Sequence, residues 1–253
     1  MSLSGTQIPY LDGVLNADPG CSMGCSYCST KRWVHRVRCE RCHDAANIHQ
    51  HPERLEALRR TRKPKVIGVD FYSELFDPQR PAADIARTLE ACADCPQHIF
   101  VFLTKQPSRA KRWEGWFAEH GDWWFGVTIT DETNAVLSHR LSESRALNKW
   151  ISYEPVMGKV EPTRLGGWPN GIDWIACGVQ SGRLAFTPSP GANGWIRHVV
   201  ASCQNCDIPV YVKQVYANYH CSRDPSEWPE DLCVQEMPWT LTKKKPKQGK
   251  EKP

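Results

Sequence analysis

The chain has 253 residues, of which 24% are charged and 40% hydrophobic, the balance of a globular protein long enough to bury a core without staples. No apolar run reaches the ~18 residues of a membrane-crossing helix, and the opening MSLSGTQIPYLDGV lacks the basic and then apolar pattern of a secretory signal. A reducing cytoplasm and no membrane partner are therefore expected. The net charge of +4 is concentrated at one end: the last eleven residues hold six Lys and one Glu, which leaves the body at −1.

In chain order, Gly13–Asn16 is a possible first strand, and Lys65–Phe71 (KVIGVDF) is a buried-strand pattern after Pro64. Pro81–Cys92 predicts a helix, with proline at its start and apolar residues at helical spacing. His98–Leu103 predicts the next strand. Ser108–His120 predicts a helix with Ser108 as N-cap and Gly121 as stop. Trp123–Thr130 reads as a strand, Glu132–Leu147 as a helix, Lys149–Tyr153 and Ile172–Gly178 as strands, Gly194–Cys203 as a helix and Ile208–Gln214 as a last strand. From Tyr216 the pattern dissolves into a Pro- and charge-rich segment. Strands alternating with helices of this length imply βα units on a parallel sheet. The fold class is α/β, and six or seven units fit an open or closed (β/α) barrel. The domain expectation is one body over 1–238, with a Cys-rich basic insertion at about 31–63, and a disordered Lys-rich tail over 239–253.

In such a barrel, functional residues gather where strands end. That rule selects Tyr72, Ser73 and Glu74, then Thr104 and Lys105, Thr130 and Asp131, Glu154, Gln180 and Ser181, and Lys213 and Gln214. Each could instead cap a helix or satisfy loop backbone.

Twelve cysteines are the anomaly for a reducing compartment, where metal binding or redox chemistry is the default reading. The strongest signal is Cys21-Ser-Met-Gly-Cys25-Ser-Tyr-Cys28, a C-x3-C-x2-C. Chance gives this spacing roughly 0.03 times in a chain of this Cys content. Three thiolates within eight residues can wrap one face of a compact metal centre, and Gly20 and Gly24 allow the tight backbone. Zinc with a distant fourth cysteine is the alternative. Three further C-x2-C pairs exist: Cys39/Cys42, Cys92/Cys95 and Cys203/Cys206. Cys39/Cys42, followed by His43, His49 and His51, suggests a second metal, zinc or an auxiliary cluster. The larger alternative for these pairs is structural: Cys92 and Cys203 fall at helix ends as small apolar residues. Residues 31–63 hold ten Lys/Arg against four Asp/Glu. Arg32, Arg36, Arg38 and Arg41, with Trp33 among them, could hold phosphates and stack a base, or form a solvated basic face.

The C-x3-C-x-aromatic-C motif, with Tyr27 as the aromatic, resembles the signature of the radical S-adenosylmethionine (SAM) superfamily. The segments IPY, GCSYC, VDFYSELF, HIFVFLTKQP, WFGVTITDE, ISYEPVMG, IDWIACGVQSG, IPVYVKQ and PEDLCVQEMP are together similar to a phage-associated group of radical SAM-like proteins, over roughly residues 7–238. The sequence departs from that group in its Cys-rich basic stretch and in Gln180, where Glu is expected.

The resemblance implies a partial or near-complete radical SAM barrel in which Cys21, Cys25 and Cys28 hold a [4Fe–4S] cluster. SAM would bind the remaining iron and be cleaved to a 5′-deoxyadenosyl radical that abstracts hydrogen from the substrate. It places Tyr27 near the cluster and adenine, Ser73 and Glu74 at the methionine amino group, Thr128 and Thr130 at the ribose hydroxyls, and Lys105 and Glu154 at SAM or substrate as catalytic candidates. The implied substrate is a modified pyrimidine in phage DNA, rearranged in the host-cell cytoplasm. The implied electron donor is an external flavodoxin- or ferredoxin-type reductant. The rival is a non-enzymatic, zinc-stabilised nucleic-acid-binding protein; a radical SAM enzyme acting on tRNA or a peptide is a third reading.

Overall fold

The computed structural model describes residues 3–165, 168, 171–181 and 191–239. Eight strands form one sheet in sequence order: β1 (Gly13–Leu15), β2 (Val66–Val69), β3 (Ile99–Thr104), β4 (Trp123–Ile129), β5 (Asn148–Tyr153), β6 (Trp174–Gly178), β7 (Val210–Ala217) and β8 (His220–Ser222). The first seven pair in parallel, and β8 returns antiparallel on β7. The parallel α/β class is as expected. The sheet is not closed: β1 and β8 end it, and no pairing joins them among the described residues.

The parallel strands read as continuous apolar runs because both faces are covered; every residue of β2 and of β4 is buried. One face packs on α1 (Pro52–Arg59), α2 (Ala82–Ala93), α3 (Pro107–Ala110), α4 (Glu114–Glu119), α5 (Leu137–Ser142) and α6 (Ala192–Gln204) in the main core. Helix α2 turns Ile85, Leu89 and Cys92 inward at helical spacing. The other face carries a second core centred on Tyr10, with Val14, Val101, Trp124, Trp150, Trp174 and Tyr211. The Tyr10 ring meets Trp150, Trp174 and Tyr211 edge-on, with centroids 5.1–6.3 Å apart. Phe71, just after β2, stacks on Trp150 of β5 at 6.3 Å. In a flat sheet those strands would lie about 14 Å apart, so the sheet curls around this face. Gly126 is required here: a Cβ would fall 2.3 Å from the Trp150 indole nitrogen.

Several elements differ from expectation for local reasons. Strand β2 stops at Val69 because Asp70 takes a left-handed φ of 52°. The helix expected over Ser108–His120 is divided into α3, a 3-10 turn at Lys111–Trp113 and α4. Pro107 occupies its first turn with Gln106 as N-cap, so Ser108 lies inside the helix and is not the cap. The helix expected over Glu132–Leu147 shrinks to α5. Asp131 caps a separate 3-10 turn, and the Ser144 hydroxyl donates to the Leu141 carbonyl and competes with the helix. Order also persists beyond Tyr216. Asn218 and Tyr219, at φ 49° and 66°, make the turn between β7 and β8. Residues 234–236 run along β7 through Val212 N to Val234 O and Glu236 N to Val210 O. Trp239 packs against Trp174 at 4.7 Å; the expected tail beyond it lies outside the described residues. Among the described residues, no helix is long and apolar enough to cross a membrane.

Candidate active site and metal centre

The aromatic core fills the N-terminal half of the sheet's inner face. The C-terminal half opens into a cleft of about 820 Å³. Its lining takes Ser73 and Glu74 after β2, Lys105 after β3, Thr128 from β4, Glu154 after β5, Gln180 after β6, and Lys213 and Gln214 from β7. The opposite wall is the loop after β1, with Cys21, Cys25, Tyr27 and Cys28. The three cysteines are free and partly exposed. The Cys21 thiol is pushed up to about 11, first by burial and then by the nearby Glu74 and Asp77 charges. It is therefore not an activated nucleophile at neutral pH; a metal would have to displace its proton.

The loop is tied down from three sides. Ser22 donates its backbone N–H and its hydroxyl to the Asp77 carboxylate, at 2.6 and 2.9 Å. Cys21 N–H donates to Ala45 O at 2.8 Å. From within, Arg80, 1% exposed, donates to the carbonyls of Asp18 at 2.7 Å and Gly20 at 2.9 Å. It also reaches Glu74 O and His49 O. Its counter-charge is Asp18 at 3.5 Å, itself held by Thr88 and Gln50. Asp70 lies alongside and accepts from Asp18 N–H. Burial raises both carboxyls, the Asp18 charge raises Asp70 further, and Arg80 pulls both back down. Asp18, Asp70 and Arg80 were not found from sequence: 52 to 62 residues separate Asp18 from its partners, so no local spacing marks them.

The strand-end residues divide by task. Glu74 is fully buried, and burial raises its carboxyl. Its oxygens accept from Thr104 Oγ1, Lys105 N–H and Phe76 N–H at 2.5, 2.8 and 3.1 Å. It thus braces β2 against β3, and Thr104 is spent on it rather than facing the cleft. Lys105 sets its ammonium 5.9 Å above the Tyr27 ring. The Ser73 hydroxyl turns back to Asp70 O at 3.4 Å. Thr128 is 2% exposed, and its hydroxyl has no hydrogen-bond partner, although it lines the cleft. Thr130 does not line it. It follows the strand end, where Asn134 bonds both its amide and its hydroxyl, as part of the turn that Asp131 caps. On the far wall Glu154 pairs with Lys213 at 2.9 Å and accepts from Tyr10 Oη at 3.2 Å. At the mouth Trp33 meets Tyr72 edge-on at 4.8 Å, and Arg32 and Arg223 join the lining. Arg36, Arg38 and Arg41 are exposed beyond it.

Cys21, Cys25 and Cys28 are free thiols on one loop, a donor set that could serve an iron–sulfur cluster. Among the described residues, the group whose ligand atoms converge on one point is Cys39, Cys42, His49 and His51, which could hold a metal ion. His43 is outside it, its ring turned to Val37 O at 2.8 Å. Cys92 and Cys203 are fully buried in the main core, where burial raises both thiols, Cys203 to about 12.

The family model described as "Protein of unknown function (DUF5131)" matches residues 5–251. The chain belongs to that family. No curated protein and no solved structure matches it.

Proposed function

We propose that this protein is a radical SAM enzyme whose open parallel sheet serves as that superfamily's partial barrel. Cys21, Cys25 and Cys28 would hold a [4Fe–4S] cluster, and S-adenosylmethionine would occupy the cleft beside it. The observation that carries the reading is the placement of three free thiols, in C-x3-C-x2-C spacing, on one wall of a large cleft at the carboxyl ends of parallel strands. Cluster and cofactor, when bound, supply the electron transfer and the adenosyl radical that removes a hydrogen atom from substrate carbon.

The chain's own residues bind, orient and exclude water. Asp77, Arg80 and the backbone at Ala45 fix the thiol loop. Thr128 offers a buried hydroxyl to a cofactor hydroxyl. Tyr27 and Lys105 form one side of the cofactor site and Ser73 its edge, while Glu74 shapes that wall from behind. Glu154 and Lys213 face them as a paired acid and base. Arg32, Trp33 and Tyr72 at the mouth support an anionic substrate with a flat ring, which we take to be a pyrimidine of nucleic acid. The electron comes from an external flavodoxin- or ferredoxin-type donor.

Anaerobic reconstitution with iron and sulfide tests this. The expected product is a brown protein with four irons per chain that cleaves SAM when reduced. Cys25→Ala should lose iron and cleavage together while keeping its fold. A colourless protein that binds no iron, with zinc as its metal, would overturn the reading and favour a non-enzymatic nucleic-acid-binding protein.

A further inference from the structure

Outside the cleft, Cys39, Cys42, His49 and His51 bring their ligand atoms within 4.8 Å of one another. Cys42 Sγ lies 3.4 Å from His49 Nε2 and 3.2 Å from His51 Nε2, and the two Nε2 atoms are 3.2 Å apart. We propose that these four residues bind one structural zinc ion, and that this ion pins the loop carrying Cys21. The zinc assignment is independent of the cofactor reading above, which enters only in saying what the pinned loop holds.

The hydrogen bonds around the two imidazoles carry the argument. His49 Nδ1 faces the Asn47 carbonyl at 2.8 Å, and His51 Nδ1 faces the Glu53 carboxylate at 2.7 Å. Both partners are acceptors, so both Nδ1 atoms carry the proton. In the neutral rings both Nε2 atoms then present lone pairs, and these point at each other and at a thiol. The Cys42 thiol can donate its one proton to only one of them, so the two lone pairs 3.2 Å apart are left facing each other, an arrangement that a cation between them relieves. A carbonyl or carboxylate behind each ring is also the usual support of a metal-bound histidine.

Distances and donor types select the metal. Tetrahedral zinc, with Zn–N near 2.0–2.1 Å and Zn–S near 2.3 Å, sets ligand edges of about 3.3 Å for N–N and about 3.6 Å for S–N. The three contacts at Cys42, His49 and His51 agree within about 0.4 Å. Calcium and magnesium need oxygen ligands. A two-iron centre with two cysteines and two histidines would put the thiolates on one iron and the imidazoles on the other, which separates pairs that here share one point.

The site has little else to hold it. Between Thr30 and Asn47 only Val34 and Cys42 are buried, too few to order the segment by apolar burial, and metal binding commonly supplies that free energy. The ordered segment lies directly on the cluster loop. His51 N–H donates to Ala17 O at 2.7 Å, His49 N–H to Pro19 O at 3.2 Å, and Cys21 N–H to Ala45 O. Gly20, at φ +89°, packs so closely that a Cβ would fall 2.1 Å from Asn47 O. Residues 45–51 are thus the outer wall of the loop at 17–21.

Metal analysis of the full chain, purified in air and grown with zinc, tests the proposal. The expected content is one zinc per chain. It is kept when Cys21, Cys25 and Cys28 are all changed to Ala, and lost in Cys39→Ser/Cys42→Ser and in His49→Gln. Amide exchange at Cys21 and His51 should run at least tenfold faster without zinc. Cobalt loaded into the zinc-stripped wild-type chain should show the visible bands of a four-coordinate thiolate site, a measurement that does not need the variants to fold. No zinc in the wild type, zinc retained in Cys39→Ser/Cys42→Ser, or zinc lost with the Cys21 trio would each overturn the site. Unchanged exchange after zinc loss would overturn the pinning. Failure of the cofactor reading appears separately, as an iron-free protein that still binds zinc.

Discussion

Replacing Arg80 by Met keeps most of the side chain's length and removes its charge. The guanidinium is fully buried and donates to the carbonyls of Asp18, Gly20, His49 and Glu74. It also faces the Asp18 carboxylate at 3.5 Å, with neither side chain exposed. Breaking a buried pair from one side typically costs about 3–5 kcal/mol, a large share of the ~5–15 kcal/mol of an ordinary domain. The penalty should depend on pH with a definite sign. Burial raises Asp18 and Asp70 above their usual value of 3.8, and Arg80 works against that rise. Without Arg80 they rise further, so the folded state binds more protons than the unfolded chain. Stability is then highest in acid and falls as pH climbs above about 4 through the raised values. Urea melts of wild type and Arg80→Met at pH 5 and pH 8 check this: the gap should be largest at pH 8 and narrow at pH 5. Iron loading should fall in parallel, because the carbonyls of Asp18 and Gly20 precede Cys21. A gap that is constant or wider at pH 5, or normal iron loading at a several-kcal/mol stability loss, would refute the reasoning.

Thr128→Val removes a buried hydroxyl that has no partner, so the unfolding free energy from urea melts should hold or rise by up to about 1 kcal/mol. SAM binding, read by equilibrium dialysis, should weaken several-fold. Gly126→Ala drives a methyl into the Trp150 ring and should cost about 1–3 kcal/mol by overpacking, seen as a lower urea midpoint with an unchanged slope. Arg36→Ala/Arg38→Ala should weaken binding of single-stranded DNA and flatten the dependence of log K on log salt by roughly 0.7 for each phosphate no longer neutralised, with iron content unchanged. An unchanged salt slope would confine these arginines to shaping their own loop.

Strands β1 to β7 were legible because a parallel strand covered on both faces leaves a continuous apolar run, as in VIGV and WWFGVTI. Helix lengths were less legible, since side-chain oxygens decide where backbone bonds stop: Ser144 ends α5, and Asp131 opens a turn of its own. Strand β8 and residues 234–236 left no pattern because β7 holds them through backbone bonds. In the site, the rule that selects strand ends brought Ser73, Glu74, Lys105 and Glu154 to the cleft. It could not show that Glu74 and Thr104 are spent on each other, or that Thr130 passes the strand end into the Asp131 turn. His49 and His51 join the Cys39 group and His43 does not because the intervening loop turns His43 outward to Val37, which spacing alone does not reveal.

The inner face of the sheet explains why the thiol loop needs so many ties. Large aromatics occupy the N-terminal half of the strands, so the floor of the cleft is rigid and apolar. The C-terminal half carries small or polar residues, Thr128, Ser152 and Gln214 among them, and cannot close the space itself. The remaining wall is the loop from Cys21 to Cys28, where every residue is at least partly exposed. Such a loop contributes almost no apolar burial, so its position must come from polar contacts with its neighbours. Asp77 holds Ser22, Arg80 holds the carbonyls before Cys21, and residues 45–51 close it from outside. All three contacts fall at or close to Cys21, while Gly24 has open space around it. The entry to the loop is therefore fixed by polar contacts, while at its far end Lys105 lies over the Tyr27 ring and the Thr30 hydroxyl donates to Tyr72 O at 3.0 Å, so the thiols sit on a segment anchored at both ends.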